Sequence, residues 1–401
     1  MAVIDFLKEK KRREKNDDID YREKIRAHRL SVFFRTVIIL AVLAAVIVIL
    51  NITWRDRTFT EMAEDSSSPV SVVTGATIRN LGGNLLIYSK DGASCIDPKG
   101  RAIWNRSYEM QSPLLSVNGS TMAIGDYNGR NIYVANKDML LGSIRTNLPI
   151  RSVSVSDNGV VATVLDDNEI TRIYVYDGNL DTEDPIVMTK ATMNKSGYPV
   201  SVALSPNGKL MMVSYFYVDS GSMKSSVAFY NFGEVGSNET DNYVSGYDYM
   251  NSVVPYVQFM DNDSAFGVSD DRIIFFEGSE KPQNCATAML SEEVRGVYYS
   301  SDYVGLVFRD QTGESLYRLD IYNAAGTKIR SMNFDIEFTD IVFSKDQVVI
   351  YDENECLIST VRGQEKYAGT FPDATRYLLP SSSVYRYVLV TEDMMKTVEL
   401  K

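Results

Sequence analysis

Histidine, cysteine and tryptophan are nearly absent from this chain of 401 residues, at one, three and two copies. The lone histidine, His28, lies in the N-terminal tail. Everything beyond it therefore lacks the imidazole that Ser-His-Asp and Cys-His catalysis, His-ligated zinc and a histidine general base require. Cys95, Cys285 and Cys356 are odd in number, far apart and without a C-x-x-C pair, so neither a disulfide framework nor a zinc site is readable. Each is expected as a small buried apolar residue, with a single bridge left open. So few cysteines in an exported domain would suit a Gram-positive surface. A glycine-rich phosphate loop, a G-x-S-x-G elbow and H-E-x-x-H are also missing.

What is present begins with Thr36 to Ile52, TVIILAVLAAVIVILNI, a charge-free apolar run of 17 residues. This is the short end of the ~17–25 residues that cross a hydrocarbon core. Phe33, Phe34 and Trp54 stand where the interfaces would fall. A cleaved signal peptide fits poorly, because more than thirty residues precede the run. A buried core helix would show a polar face, and this one has none. The expected segments are a basic cytoplasmic tail (1–35), a transmembrane helix (36–54), a flexible stalk (55–69) and a domain over 70–401.

Residues 1–35 hold 11 Lys and Arg against 7 Asp and Glu, including Lys10 to Arg13, and the positive-inside bias places this end in the cytoplasm. The rest carries 30 basic and 46 acidic residues, a formal −16. That acidic exterior repels phosphate polymers, so nucleic acid is not expected as a partner. The tail's KEKKRREK run reads as a topology signal, or as a contact with anionic headgroups or a cytoplasmic protein.

From Val70 onward, short runs of Val, Ile, Tyr, Phe and Thr alternate with Gly, Asn, Asp, Ser and Pro, an all-β texture. SVALSPNGKLMMVSY (201–215) matches SVSVSDNGVVATVL (152–165), with weaker copies from Tyr256, Gly296 and Asp340. Each copy is followed by another strand pair, so the unit is four strands. Units starting near Thr77, Ser112, Ile150, Pro199, Val253, Val294, Phe338 and Thr375 are spaced by 35 to 54 residues. A repeat of this kind is a β-propeller blade. The expected fold is all-β, a propeller of about eight four-stranded blades with seven as the alternative. The last unit has only three strands, and Ser71 to Val73 is expected to supply its fourth and lock the ring.

VSVALSPNGK (200–209) resembles the strand–turn–strand of WD40-like propellers. Asp97-x-x-Gly100-x-x-x-Trp104 is similar to the docking motif of quinoprotein-like propellers, echoed at Asn323-x-x-Gly326 with Arg330 in the tryptophan position. The ring of docking tryptophans is otherwise absent, so the resemblance implies the fold and no quinone cofactor. The whole plan also resembles an uncharacterised family of single-pass membrane β-propellers from Gram-positive anaerobes.

Candidate sites are few. Asp177, Asn179, Asp181 and Glu183 alternate as in a calcium loop, but Thr182 and Met188 stand where Gly and Glu belong. An acidic inter-strand loop is the default there, and no metal or other cofactor is implied. Tyr243, Tyr247, Tyr249 and Tyr256 lie in or after the longest insertion and could stack on sugars or anchor a protein. Carboxylates from different blades could converge on the axis. The leading expectation is a membrane-tethered, extracytoplasmic propeller that binds an envelope protein or glycan and, in the absence of catalytic motifs, is not an enzyme. The alternative is a carboxylate-based hydrolase or lyase acting on glycans.

Overall fold

In the computed structural model, the chain forms two compact units, residues 1–58 and 59–401. The structure describes residues 2–55, 57–168, 170–180, 184–192, 197–219, 221–381, 383 and 385–401, without the side chains of 2–4, 16–24, 48–55, 190–192 and 219.

The first unit is one helix, Ala2–Arg55. At 1.5 Å per residue it is about 80 Å long. Its apolar stretch Ile25–Ile47 is long enough to cross a membrane, and its described side chains are exposed on every face, with Phe33, Ile38 and Leu40 each at 60% or more. The Thr36 hydroxyl donates to the Val32 carbonyl at 2.9 Å, so this polar group is satisfied within the helix.

The second unit is an eight-bladed β-propeller in which every blade is a four-stranded antiparallel sheet. The first strands of blades 1 to 8 are Thr77–Leu81, Pro113–Asn118, Ile150–Val155, Tyr198–Leu204, Tyr256–Phe259, Gly296–Tyr299, Asp340–Ser344 and Tyr377–Pro380. All eight begin within three residues of the positions read from the repeat. In blades 2 to 5 these strands pack successively against one another around the axis. The second strand of each blade is apolar on both faces, as in Gln347–Tyr351, which is buried throughout. Stacking the blades covers those faces, and eight apolar clusters form between neighbours.

Seven blades share a register shift between third and fourth strands, as at Cys95/Ile96, Phe229/Tyr230 and Ile358/Ser359; blade 3 lacks it. One extra residue at this point sharpens the local twist of the outer edge.

The ring closes otherwise than expected. The fourth strand of blade 8 is Met62–Pro69, MAEDSSSP, antiparallel to Met394–Leu400, whereas Ser71 to Val73 lies outside any strand. The segment read as a flexible stalk is therefore largely a closing strand. An outermost strand needs backbone pairing on one edge only, so polar side chains are tolerated, and Pro69 sits at its end. Cys95 and Cys356 are buried as expected, but Cys285 is exposed, on the outer strand of blade 5.

The two positions of the docking resemblance both reach the next blade. Trp104, 8% exposed, donates its indole N–H to the Asn136 carbonyl of blade 2 at 2.7 Å. Arg330 of blade 6 lies over Gly363 of blade 7, where any Cβ would collide with the guanidinium and φ is +87°.

Candidate functional site

The inner strands divide the ring into two arcs. From blade 2 to blade 5, serine hydroxyls accept hydrogen bonds from the next inner strand: Val155 N–H to Ser116 Oγ at 3.1 Å, Leu204 N–H to Ser154 Oγ at 3.1 Å, and Val257 N–H to Ser201 Oγ at 3.2 Å. Buried Ser214 and Ser225 add bonds to the Val254 carbonyl at 2.6 Å and from the Val254 N–H at 3.1 Å. The turns after the first strands are also linked in sequence. Gly82 N–H meets the Gly119 carbonyl, the Asp157 carboxylate accepts from Ser120, Asp157 N–H meets the Pro206 carbonyl, and Asn262 Oδ1 accepts from Asn207 N–H.

Blades 6, 7, 8 and 1 present larger groups at the axis. Tyr298, Asp340, Tyr377 and Arg79 stand on their inner strands, and a pocket of about 410 Å³ opens among them, completed by Thr77, Thr339, Tyr351, Glu353 and Arg376. Strand alternation places these groups. Ile78 is buried between the sheets, and its neighbours Thr77 and Arg79 face the other way. Asp340 pairs in register with Tyr351, which is fully buried, and the Tyr351 hydroxyl accepts from Leu378 N–H at 3.3 Å.

The pocket's electrostatics favour bound negative charge. Arg79 is exposed to the channel, its only hydrogen bond among the described residues is to the Ile78 carbonyl at 2.9 Å, and no carboxylate pairs with it there. Most of its five donors are therefore free. Arg376 Nη1 is buried without a hydrogen-bond partner among the described residues, and Glu392 Oε1 pairs with it at 3.6 Å. Burial pushes the Asp340 carboxyl above the usual carboxylate range, opposed by the Ile341 N–H at 2.9 Å and by the charge of Arg79. Burial, reinforced by Asp340, also raises the phenols: Tyr298 to about 12, and Tyr351 and Tyr377 further. Beside protonated phenols and a reluctant carboxyl, the carboxylates facing the two guanidinium groups are Glu353 in the lining and Glu392, which pairs with Arg376 at 3.6 Å.

The residues singled out from the sequence lie elsewhere. Tyr243, Tyr247 and Tyr249 are on the outer strand of blade 4, Tyr243–Met250, and Tyr256 is on the inner strand of blade 5. Tyr243 is 46% exposed. Tyr247 packs on Phe276 at 5.4 Å and donates to the Pro282 carbonyl at 3.1 Å. Tyr249 has Arg272 over its ring, and burial raises its phenol to about 12. Tyr256, its phenol also raised by burial, packs on Phe266.

Asp177 and Asn179 lie in the connection after the third strand of blade 3, where Leu180 N–H bonds the Asp177 carbonyl at 3.2 Å. Asp181 and Glu183 fall outside the described residues. Among the described residues, no three His, Cys, Asp or Glu side chains come together as a metal site. Axial acids do occur, but both Asp340 and Glu353 come from blade 7. The arginines were missed. The one available signal was a charge at Arg79 inside TIRNL, a first strand whose counterparts in blades 2 to 4 carry serines.

Fold and pocket together define an eight-bladed propeller with a polar axial pocket on one arc. Residues 55–400 match the family of unknown function DUF5711, and the chain belongs to that family. No curated protein matches the sequence. Among solved structures, BamB from Moraxella catarrhalis is similar with a TM-score of 0.50 at 11% identity, covering 85% of this chain and 100% of its own. Hsv2p of Kluyveromyces lactis is similar with a TM-score of 0.45 at 8% identity, covering 75% of this chain and 92% of its own. At these identities the likeness concerns the fold alone.

Proposed function

We propose that the chain is a single-pass membrane protein whose propeller is a binding module at the cell envelope, recognising a protein or a glycan. Residues 1–35 form the cytoplasmic tail, 36–54 span the membrane, and the propeller is extracytoplasmic. The observation that carries the binding reading is the axial pocket, a concave site with under-used guanidinium groups held on a rigid ring. The exposed apolar helix and its basic flank support the tether and its orientation.

Protease shaving of intact cells, with tags on the N-terminus and on Lys401, tests this topology. Loss of the C-terminal tag alone is expected. Protection of both tags overturns the extracytoplasmic placement.

A further inference from the structure

The geometry points to the axial pocket among blades 6, 7, 8 and 1 as a site for a sugar acid, with its carboxylate gripped by Arg79 and Arg376 and its hydroxyls facing Tyr298, Tyr377 and Glu353. Both cations are under-used by the protein itself. Among the described residues Arg79 bonds only its neighbour's carbonyl, and Arg376 Nη1, withdrawn from water, has no hydrogen bond, only a 3.6 Å ion pair with the exposed Glu392. A buried donor left in that state is costly, and a carboxylate oxygen is the partner that satisfies it best.

Charge argues in the same direction. Beyond the tail the chain carries a formal −16, yet this pocket concentrates two guanidinium groups where Asp340 resists ionisation. A small anion is drawn to that spot, whereas an extended polyanion meets the acidic surface around it.

The walls distinguish a sugar acid from a bare anion. Tyr298 and the largely buried Tyr377 give the lining aromatic surface, Thr77 and Thr339 add hydroxyl-bearing residues, and Glu353 adds an acceptor for sugar hydroxyls. The volume, about 410 Å³, lies within the range of small-molecule sites.

This inference rests on reading the propeller as a binding module. Titration of purified protein reports the pocket whatever the topology, so it and the shaving assay can fail separately. The full-length chain in lipid nanodiscs is titrated calorimetrically with glucuronate and galacturonate, and with glucose and inorganic phosphate as references.

Saturable binding of a hexuronate with Kd at or below about 1 mM, at least tenfold weaker for glucose and phosphate and at least tenfold weaker in Arg79→Gln and Arg376→Gln, is the expected result. Arg79 is exposed in the channel, so Arg79→Gln still reads the pocket if Arg376→Gln impairs folding. Failure of both hexuronates to bind up to about 20 mM overturns the assignment. Equal affinity for glucose or phosphate, or undiminished binding in Arg79→Gln, overturns it as well.

Discussion

Blades 2 to 5 and blades 6, 7, 8 and 1 are built from the same repeat, yet they treat the axis differently. In the first arc the inner strands carry Ser116, Ser154 and Ser201, small enough for neighbouring backbones to approach and polar enough to accept their N–H groups. In the second they carry Arg79, Tyr298, Asp340 and Tyr377, larger groups that line a pocket. Contacts there are made at longer reach, as where Tyr387 donates to Gln347 Oε1 at 2.8 Å between blades 8 and 7. The repeat needs only apolar second and third strands to stack its blades. The inner strand is left free to serve cohesion in one arc and recognition in the other.

Substitutions that sharpen this contrast should fall in a definite order. Trp104→Ala, at the boundary where blade 1 docks on blade 2, removes a nearly buried indole and its bond to Asn136, and is expected to cost about 3–5 kcal/mol by denaturant unfolding. Ser214→Ala, inside the stitched arc, leaves the Val254 carbonyl without its 2.6 Å bond and should cost about 1–3 kcal/mol in the same measurement. Cooperative unfolding with no change in midpoint for Ser214→Ala would mean that the stitches do not hold the arc.

The open arc should respond in the opposite way. Asp340 has its carboxyl raised in the folded state, so the native protein holds that proton more tightly than the unfolded chain does. Stability attributable to this group is therefore lost as pH rises from the unfolded pKa of about 4 through the raised folded value. Asp340→Asn keeps an acceptor for the Ile341 N–H and should melt higher than the parent at neutral pH, with the gap closing as pH falls toward about 4. A lower melting point at neutral pH would show that the ionised carboxylate stabilises the ring instead. The smallest effect on stability is expected for Arg79→Gln, within about 0.5 kcal/mol, because among the described residues the exposed guanidinium bonds only the Ile78 carbonyl and acts on Asp340 by charge alone.

The blades were legible in the sequence because burial on both faces of the second strands and polar turns between strands impose a period. Eight starts follow from it, and seven could be set aside once each sheet proved complete. The closing strand was not legible, since Met62–Pro69 is selected by backbone pairing at an edge, and the apolar SVV nearby looked more strand-like. The pocket was hidden for a different reason. Arg79, Tyr298, Asp340 and Arg376 come from four blades, and only ring closure brings them to one place. The tyrosines of blade 4 stood out by clustering in sequence, but Tyr247 and Tyr249 share a strand face that packs against blade 5.

Because Met62–Pro69 pairs with Met394–Leu400, the ring is fastened by its earliest and its latest strand. During synthesis the early strand emerges from the ribosome long before its partner exists. At about 5–20 residues per second, more than 300 further residues take roughly 15–60 s to make. For that interval a polar serine-rich segment is safer than an apolar one, since it offers little for passing chains to adhere to. The composition that made this strand hard to recognise is thus the one that lets it wait.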